Sequence, residues 1–136
     1  MKIKRTTIAK ILMLVYIIAV AYICFGRINN LQHIPRHFLG FETDKVIHFC
    51  MFFPFMIISF FCFRNIARKP LKSLLWTVCT FLVGAAFAAL TEIIQSKLVY
   101  RCGDFRDFNA DTLALGITSL IVMAINFFIR HHREKA

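Results

Sequence analysis

The stretch Asp44-Lys45-Val46-Ile47-His48 offers a carboxylate, an ammonium and an imidazole within a short span of chain. Glu92 and Gln95 end a later apolar run, and Arg101, Asp104, Asp107 and Asp111 follow them. These residue types suit two kinds of chemistry. A carboxylate or imidazole can move a proton as a general acid or base, and a lysine or arginine can hold a phosphate or carboxylate. Residues four apart share a helix face, so His48 lies about one turn, roughly 6 Å, beyond Asp44. Asp104, Asp107, Asp111, Ala114 and Thr118 follow at spacings of three and four, which puts acids and then small residues on one helical stripe.

Each of these residues also has a plainer role open to it. Asp44 and Asp104 can cap helices, with Asp107 in a first turn, where a carboxylate meets the positive end of the helix dipole. His48 can be a neutral imidazole satisfied by a carbonyl. Glu92 stands at the carboxyl end of its run, where the dipole disfavours it, so it calls for a cation such as Lys97, Arg101, Lys45 or His48. His48 with Glu92, Asp107 and Asp111 is a donor set for a divalent metal. No short-spaced ligand motif such as His-Glu-x-x-His occurs, and no metal is assigned from the sequence. Gly103 and Gly116 form no phosphate loop, and no cofactor is indicated.

The elements that must position these residues are set by composition. Of 136 residues 59% are hydrophobic, and 16 are Phe, against roughly 45–50% apolar residues in soluble domains. Four apolar runs, Ile8–Phe25, Val46–Phe63, Ser73–Thr91 and Thr112–Ile129, each approach the roughly 20 residues needed to cross a bilayer core. The expectation is an all-α membrane protein with four transmembrane helices, built as a single domain over 1–136. The N-terminal run is long for a signal peptide and has no clear cleavage site, so it reads as an uncleaved anchor. The connection Arg64–Lys72, with Pro70, is short enough to make spans two and three an antiparallel hairpin. Pro54 leaves the Cys50 carbonyl without its usual helical donor. Gly84, Ala85, Ala88 and Ala89 form small-xxx-small pairs that let a neighbouring helix approach. Four of the five cysteines fall in apolar runs and read as small buried hydrophobes, whereas Cys102 stands in a polar loop.

The net charge of +10 does not form one patch, which argues against nucleic acid as a partner. Most of the 17 Lys and Arg fall in the N-terminus, the second connection and the tail. By the positive-inside rule both termini are cytoplasmic. Of the seven acids, Glu42, Asp44, Glu92, Asp104, Asp107 and Asp111 belong to the opposite face, and Glu134 alone to the first. Counted from Ser73, Glu92 lies roughly 29 Å along the helix, at the outer edge of the hydrocarbon. The outer ends of spans two, three and four therefore bring ionisable groups to a common depth, and a site is expected there.

In this order and spacing, Asp-Lys-x-x-His, Glu-x-x-Gln, Arg-x-Gly-Asp-Phe-Arg-Asp and Asn-Ala-Asp-Thr-Leu resemble the VanZ-like family of small bacterial membrane proteins. The motif-bearing region is 44–118, and span one matches in hydropathy alone. The resemblance falls on Asp44, Lys45, His48, Glu92, Gln95, Arg101, Asp107 and Asp111. Ala114 stands where the family has glycine. The resemblance implies a multi-pass protein of the bacterial cytoplasmic membrane with an envelope role, and a link to teicoplanin resistance, seen for the founding member.

Three functions stay open. The favoured one is binding of an anionic lipid or cell-wall precursor through Lys45 and Arg101, with Asp44, Gln95 and Asp111 completing the site. The second is an outer-leaflet enzyme using His48, Glu92 and Asp107 in acid/base chemistry on a lipid-linked or glycan substrate. The third is an ion-pair network that only fastens three helices. Oligomeric state is not legible.

Overall fold

The computed structural model describes residues 5–26, 37–38, 40–63, 70–99 and 104–134. The chain forms α1 (Arg5–Phe25), a two-strand hairpin of β1 (His37–Phe38) and β2 (Phe41–Glu42), then α2 (Thr43–Phe63), α3 (Pro70–Gln95) and α4 (Phe105–Glu134). All four helices are long and apolar enough to cross a membrane. The hairpin is the one departure from an all-α fold among the described residues. Its antiparallel register pairs His37 with Glu42 and Phe38 with Phe41. Gly40 closes the turn at a φ of 85°, a left-handed conformation that glycine adopts without a Cβ clash. β2 runs directly into α2, which fixes Glu42 one turn from Lys45.

Apolar residues surround these helices because lipid accepts apolar surface wherever a neighbour does not cover it. Leu14, Leu71, Leu120 and Phe128 are exposed accordingly. The buried core joins Val20 and Cys24 of α1, Phe52, Phe55, Met56 and Phe60 of α2, Ala88 of α3, and Ala114, Leu115 and Val122 of α4. α2 and α4 make the most extensive helix pair, α3 packs on α4, and α1 lies mainly along α2. Cys24 and Cys62 are buried as expected, but Cys50 and Cys79 are exposed on outward faces. Cys102 and Arg101 lie outside the described residues.

Pro54 sits inside an unbroken α2. Next to the Cys50 carbonyl that it leaves without a donor, the Tyr16 hydroxyl donates to the Met51 carbonyl at 2.6 Å and ties α1 to α2. At the end of the bundle away from His48, Asn126 of α4 donates to the Ser73 hydroxyl of α3. Both side chains are buried, and no periodic signal in the sequence marks this pair.

The small-residue stripe on α3 is a packing face. Ala88 is fully buried, and a Cβ added at Gly84 would come within 2.9 Å of both Leu115 Cδ2 and Phe55 Cε1. Those atoms are ends of flexible side chains, so alanine is expected to be tolerated, helped by the roughly 1 kcal/mol by which it is the better helix former. Gly84→Leu is expected to destabilise by about 1–3 kcal/mol through overpacking. Thermal unfolding in detergent of the two variants beside the wild type checks this order.

Candidate functional site

The site lies where α2 begins, α3 ends and α4 begins. Local sequence dictates each boundary. Asp104 precedes α4 and accepts the Arg106 backbone N–H on Oδ1 at 2.9 Å, the N-cap role its side chain suits. Asp107 then falls in the first turn of α4, as Asp44 does in that of α2. Both carboxylates thus face the positive ends of their helices. Thr43 begins α2, which places Asp44 just inside the helix rather than at its cap.

His48 is the centre of the arrangement and is 3% exposed. Its Nδ1 lies 3.2 Å from Asp111 Oδ1 and 3.3 Å from Oδ2. Both oxygens of the Asp111 carboxyl thus face the same ring nitrogen. Asp111 is fully buried. Glu92 Oε1 is 3.6 Å from the same Nδ1, and Asp107 Oδ2 is 3.9 Å from Nε2 on the other side of the ring. Glu92 Oε2 accepts the Asp104 backbone N–H at 3.2 Å. Of the partners expected for Glu92, the structure thus places the His48 imidazole of α2 beside it, and Lys97 is exposed.

Two carboxylate oxygens in this cluster, Glu92 Oε1 and Asp107 Oδ1, are buried and make no hydrogen bond among the described residues. Buried polar atoms are nearly always paired, so two together mark the place as unusual.

Lys45 forms the rim. It pairs with Glu42 and lies 3.7 Å from Asp104 Oδ2 and 3.9 Å from Asp107 Oδ1. Arg106 Nη1 reaches Glu42 Oε1 at 3.7 Å. Glu42 was not singled out from the sequence; its position one turn before Lys45 was the available signal. Gln95 is not part of the cluster. It is buried, and its Nε2 donates at 3.1 Å to the carbonyl of Cys24, so it satisfies the end of α1 instead. Of the expected residues the fold thus gathers Asp44, Lys45, His48, Glu92, Asp107 and Asp111.

No family model, curated protein or solved structure matches this chain. The chemistry of the site therefore rests on its own geometry. That geometry is acidic at depth and mixed at the rim, and on the neighbouring face of α2 an apolar groove of about 380 Å³ runs between Ile23, Val46, Ile47, Cys50 and Met51.

At the rim, the hydrogen bond and charge of Lys45 hold the Glu42 carboxyl below its usual range. The Arg106 N–H, with Lys45 and Arg106 charges added, does the same for Asp104. Depressed carboxyls bind fewer protons in the folded than in the unfolded chain. Their contribution is present at neutral pH and lost as pH falls through the lowered values. Glu42→Gln should therefore lower thermal stability slightly at about pH 7, and the gap from wild type should close in acid, below the lowered Glu42 value. Unfolding midpoints at neutral and acid pH test it.

Proposed function

We propose that this chain is a VanZ-like protein of the bacterial cytoplasmic membrane, with both termini cytoplasmic, that acts on an anionic lipid or lipid-linked envelope precursor at the outer face. Glu92 is its general acid/base. The observation that carries this reading is the state of Glu92: one oxygen is fixed by the Asp104 N–H, and the other is buried 3.6 Å from His48 Nδ1 and makes no hydrogen bond among the described residues. Buried carboxylate oxygens that serve only to fasten helices are nearly always hydrogen-bonded. That second oxygen is the one a substrate proton would meet.

Lys45 at the rim supplies the charge that attracts an anionic headgroup, and the adjoining apolar groove suits an acyl or prenyl chain. Binding without turnover is less well supported. It would use the same Lys45, which also pairs with Glu42, Asp104 and Asp107, and it gives the buried Glu92 Oε1 no role. Arg101, its other cation, lies outside the described residues.

The test is a comparison of lipid extracts by mass spectrometry from bacterial cells making the wild-type chain or Glu92→Gln at equal membrane level. A lipid-linked species changed by the wild type and restored by Glu92→Gln supports the reading. Teicoplanin susceptibility of the same strains reports whether the resistance phenotype of the resembled family extends to this chain.

A further inference from the structure

We infer that Asp44, His48 Nε2 and Asp107 bind a divalent first-row transition cation of the zinc or manganese type, with Asp111 orienting the imidazole. His48 and Asp44 stand one turn apart on α2, and Asp107 comes from the first turn of α4. One donor atom from each lies within 4.8 Å of the others. Two bonds of about 2.0–2.2 Å to a shared ion leave ligand atoms about 3–4 Å apart, and Nε2 to Asp107 Oδ2 is 3.9 Å. That gap is too long for a hydrogen bond and fits a bridging ion.

Three further observations point to a ligand at this place. Nδ1 is engaged by Asp111, which leaves Nε2 as the ring nitrogen that faces Asp107. A histidine that donates its other ring N–H to a carboxylate is the usual outer-shell arrangement of a metal-bound imidazole. Asp107 is 2% exposed, yet its Oδ1 makes no hydrogen bond among the described residues. Lys45 does not satisfy it, since Nζ is 3.9 Å away and also serves Glu42 and Asp104. Charge closes as well: two carboxylates and a neutral imidazole balance a dication. Imidazole with carboxylates suits zinc or manganese better than magnesium or calcium, which favour all-oxygen sets.

A second trio, His48 with Glu92 and Asp111, shares the ring but would need Nδ1, which already donates to Asp111. Asp44 is exposed, so an ion enters from the rim and keeps an open position there for water or a phosphate oxygen. The site shares the His48 ring with the Glu92 cluster, but Glu92 is not among its ligands, and ion binding can be measured without a substrate.

The experiment uses the full chain in detergent or nanodiscs, stripped with chelator and reloaded with Zn2+, Mn2+ or Co2+. Elemental analysis and the visible bands of Co2+ are the readouts. Wild type should hold about one ion per chain, with Mg2+ and Ca2+ failing to displace it. Asp44→Asn and Asp107→Asn should weaken binding more than about 100-fold, and Asp111→Asn by about 10–100-fold, as an outer-shell change does. Glu92→Gln should bind as the wild type does. Asp44→Asn alters only an exposed position, so its fold can be verified by circular dichroism. No ion held by the wild type, a folded Asp44→Asn that binds unchanged, or a loss of the ion in Glu92→Gln would each overturn the inference.

Discussion

Glu92→Gln is expected to lose activity by about 10²–10⁴-fold, the usual contribution of one positioned proton-transfer group, while the protein stays as stable as the wild type or gains slightly. The two halves of this expectation have separate causes. Glutamine keeps the shape, and its amide oxygen can still accept the Asp104 N–H that Glu92 Oε2 accepts at 3.2 Å. What it removes is one of three carboxylates crowded around a single imidazole. Like charges that close oppose each other, so dropping one relieves the folded state. Proton transfer has no such substitute. Residues kept at a cost in stability are characteristic of functional sites. Parallel measurement of turnover, once the altered lipid is identified, and of thermal midpoint in detergent separates the cases. If activity and folded protein fall together and in proportion, the cluster is a fastening network and the catalytic assignment fails.

The four helices and the gathering of polar residues at one end of the bundle were legible because they follow from local rules. Apolar runs of the right length became four helices, and the spacing of Asp104, Asp107, Asp111, Ala114 and Thr118 became a stripe of which all but Asp104 are buried. Asp104 caps α4 because its position relative to the apolar run is a local matter. Partners were less legible, because they depend on how the helices sit side by side. Glu92 had four candidate cations in the sequence, and only the packing of α2 between its neighbours gives it His48.

Gln95 shows the limit most clearly. On a helix it shares the side of Glu92, so spacing assigned it to the same site. Three residues on, its side chain instead turns to α1, where Nε2 donates to the Cys24 carbonyl. The proposed metal trio was partly legible. The sequence put His48 and Asp107 in one donor set, but with Glu92 and Asp111 where the packing of α2 against α4 brings Asp44. Cys50 and Cys79 were misjudged because an apolar run in lipid has no preferred side until its neighbours are placed.

The same packing makes His48 the residue whose loss should cost the fold most. His48→Ala is expected to destabilise the bundle by about 3–5 kcal/mol, the range for removing one partner of a buried ionic pair. Asp111 is fully buried and would lose its only described side-chain hydrogen-bond donor. Glu92 and Asp107 would lose the ring that stands between them. A cavity would be left at the joint of α2, α3 and α4, adding to the loss. Asp111→Asn removes the charge but leaves an oxygen for the Nδ1–H, so it should cost less. Placed on the His48→Ala background, Asp111→Asn should recover part of the stability, because the uncompensated carboxylate is then gone. The cycle is measured by unfolding in mixed detergent micelles with chelator present, which keeps metal binding out of the comparison. A coupling of about 1–3 kcal/mol between positions 48 and 111 is expected. Strict additivity would mean that the two side chains do not support each other and would remove the basis for treating Asp111 as the group that fixes the imidazole.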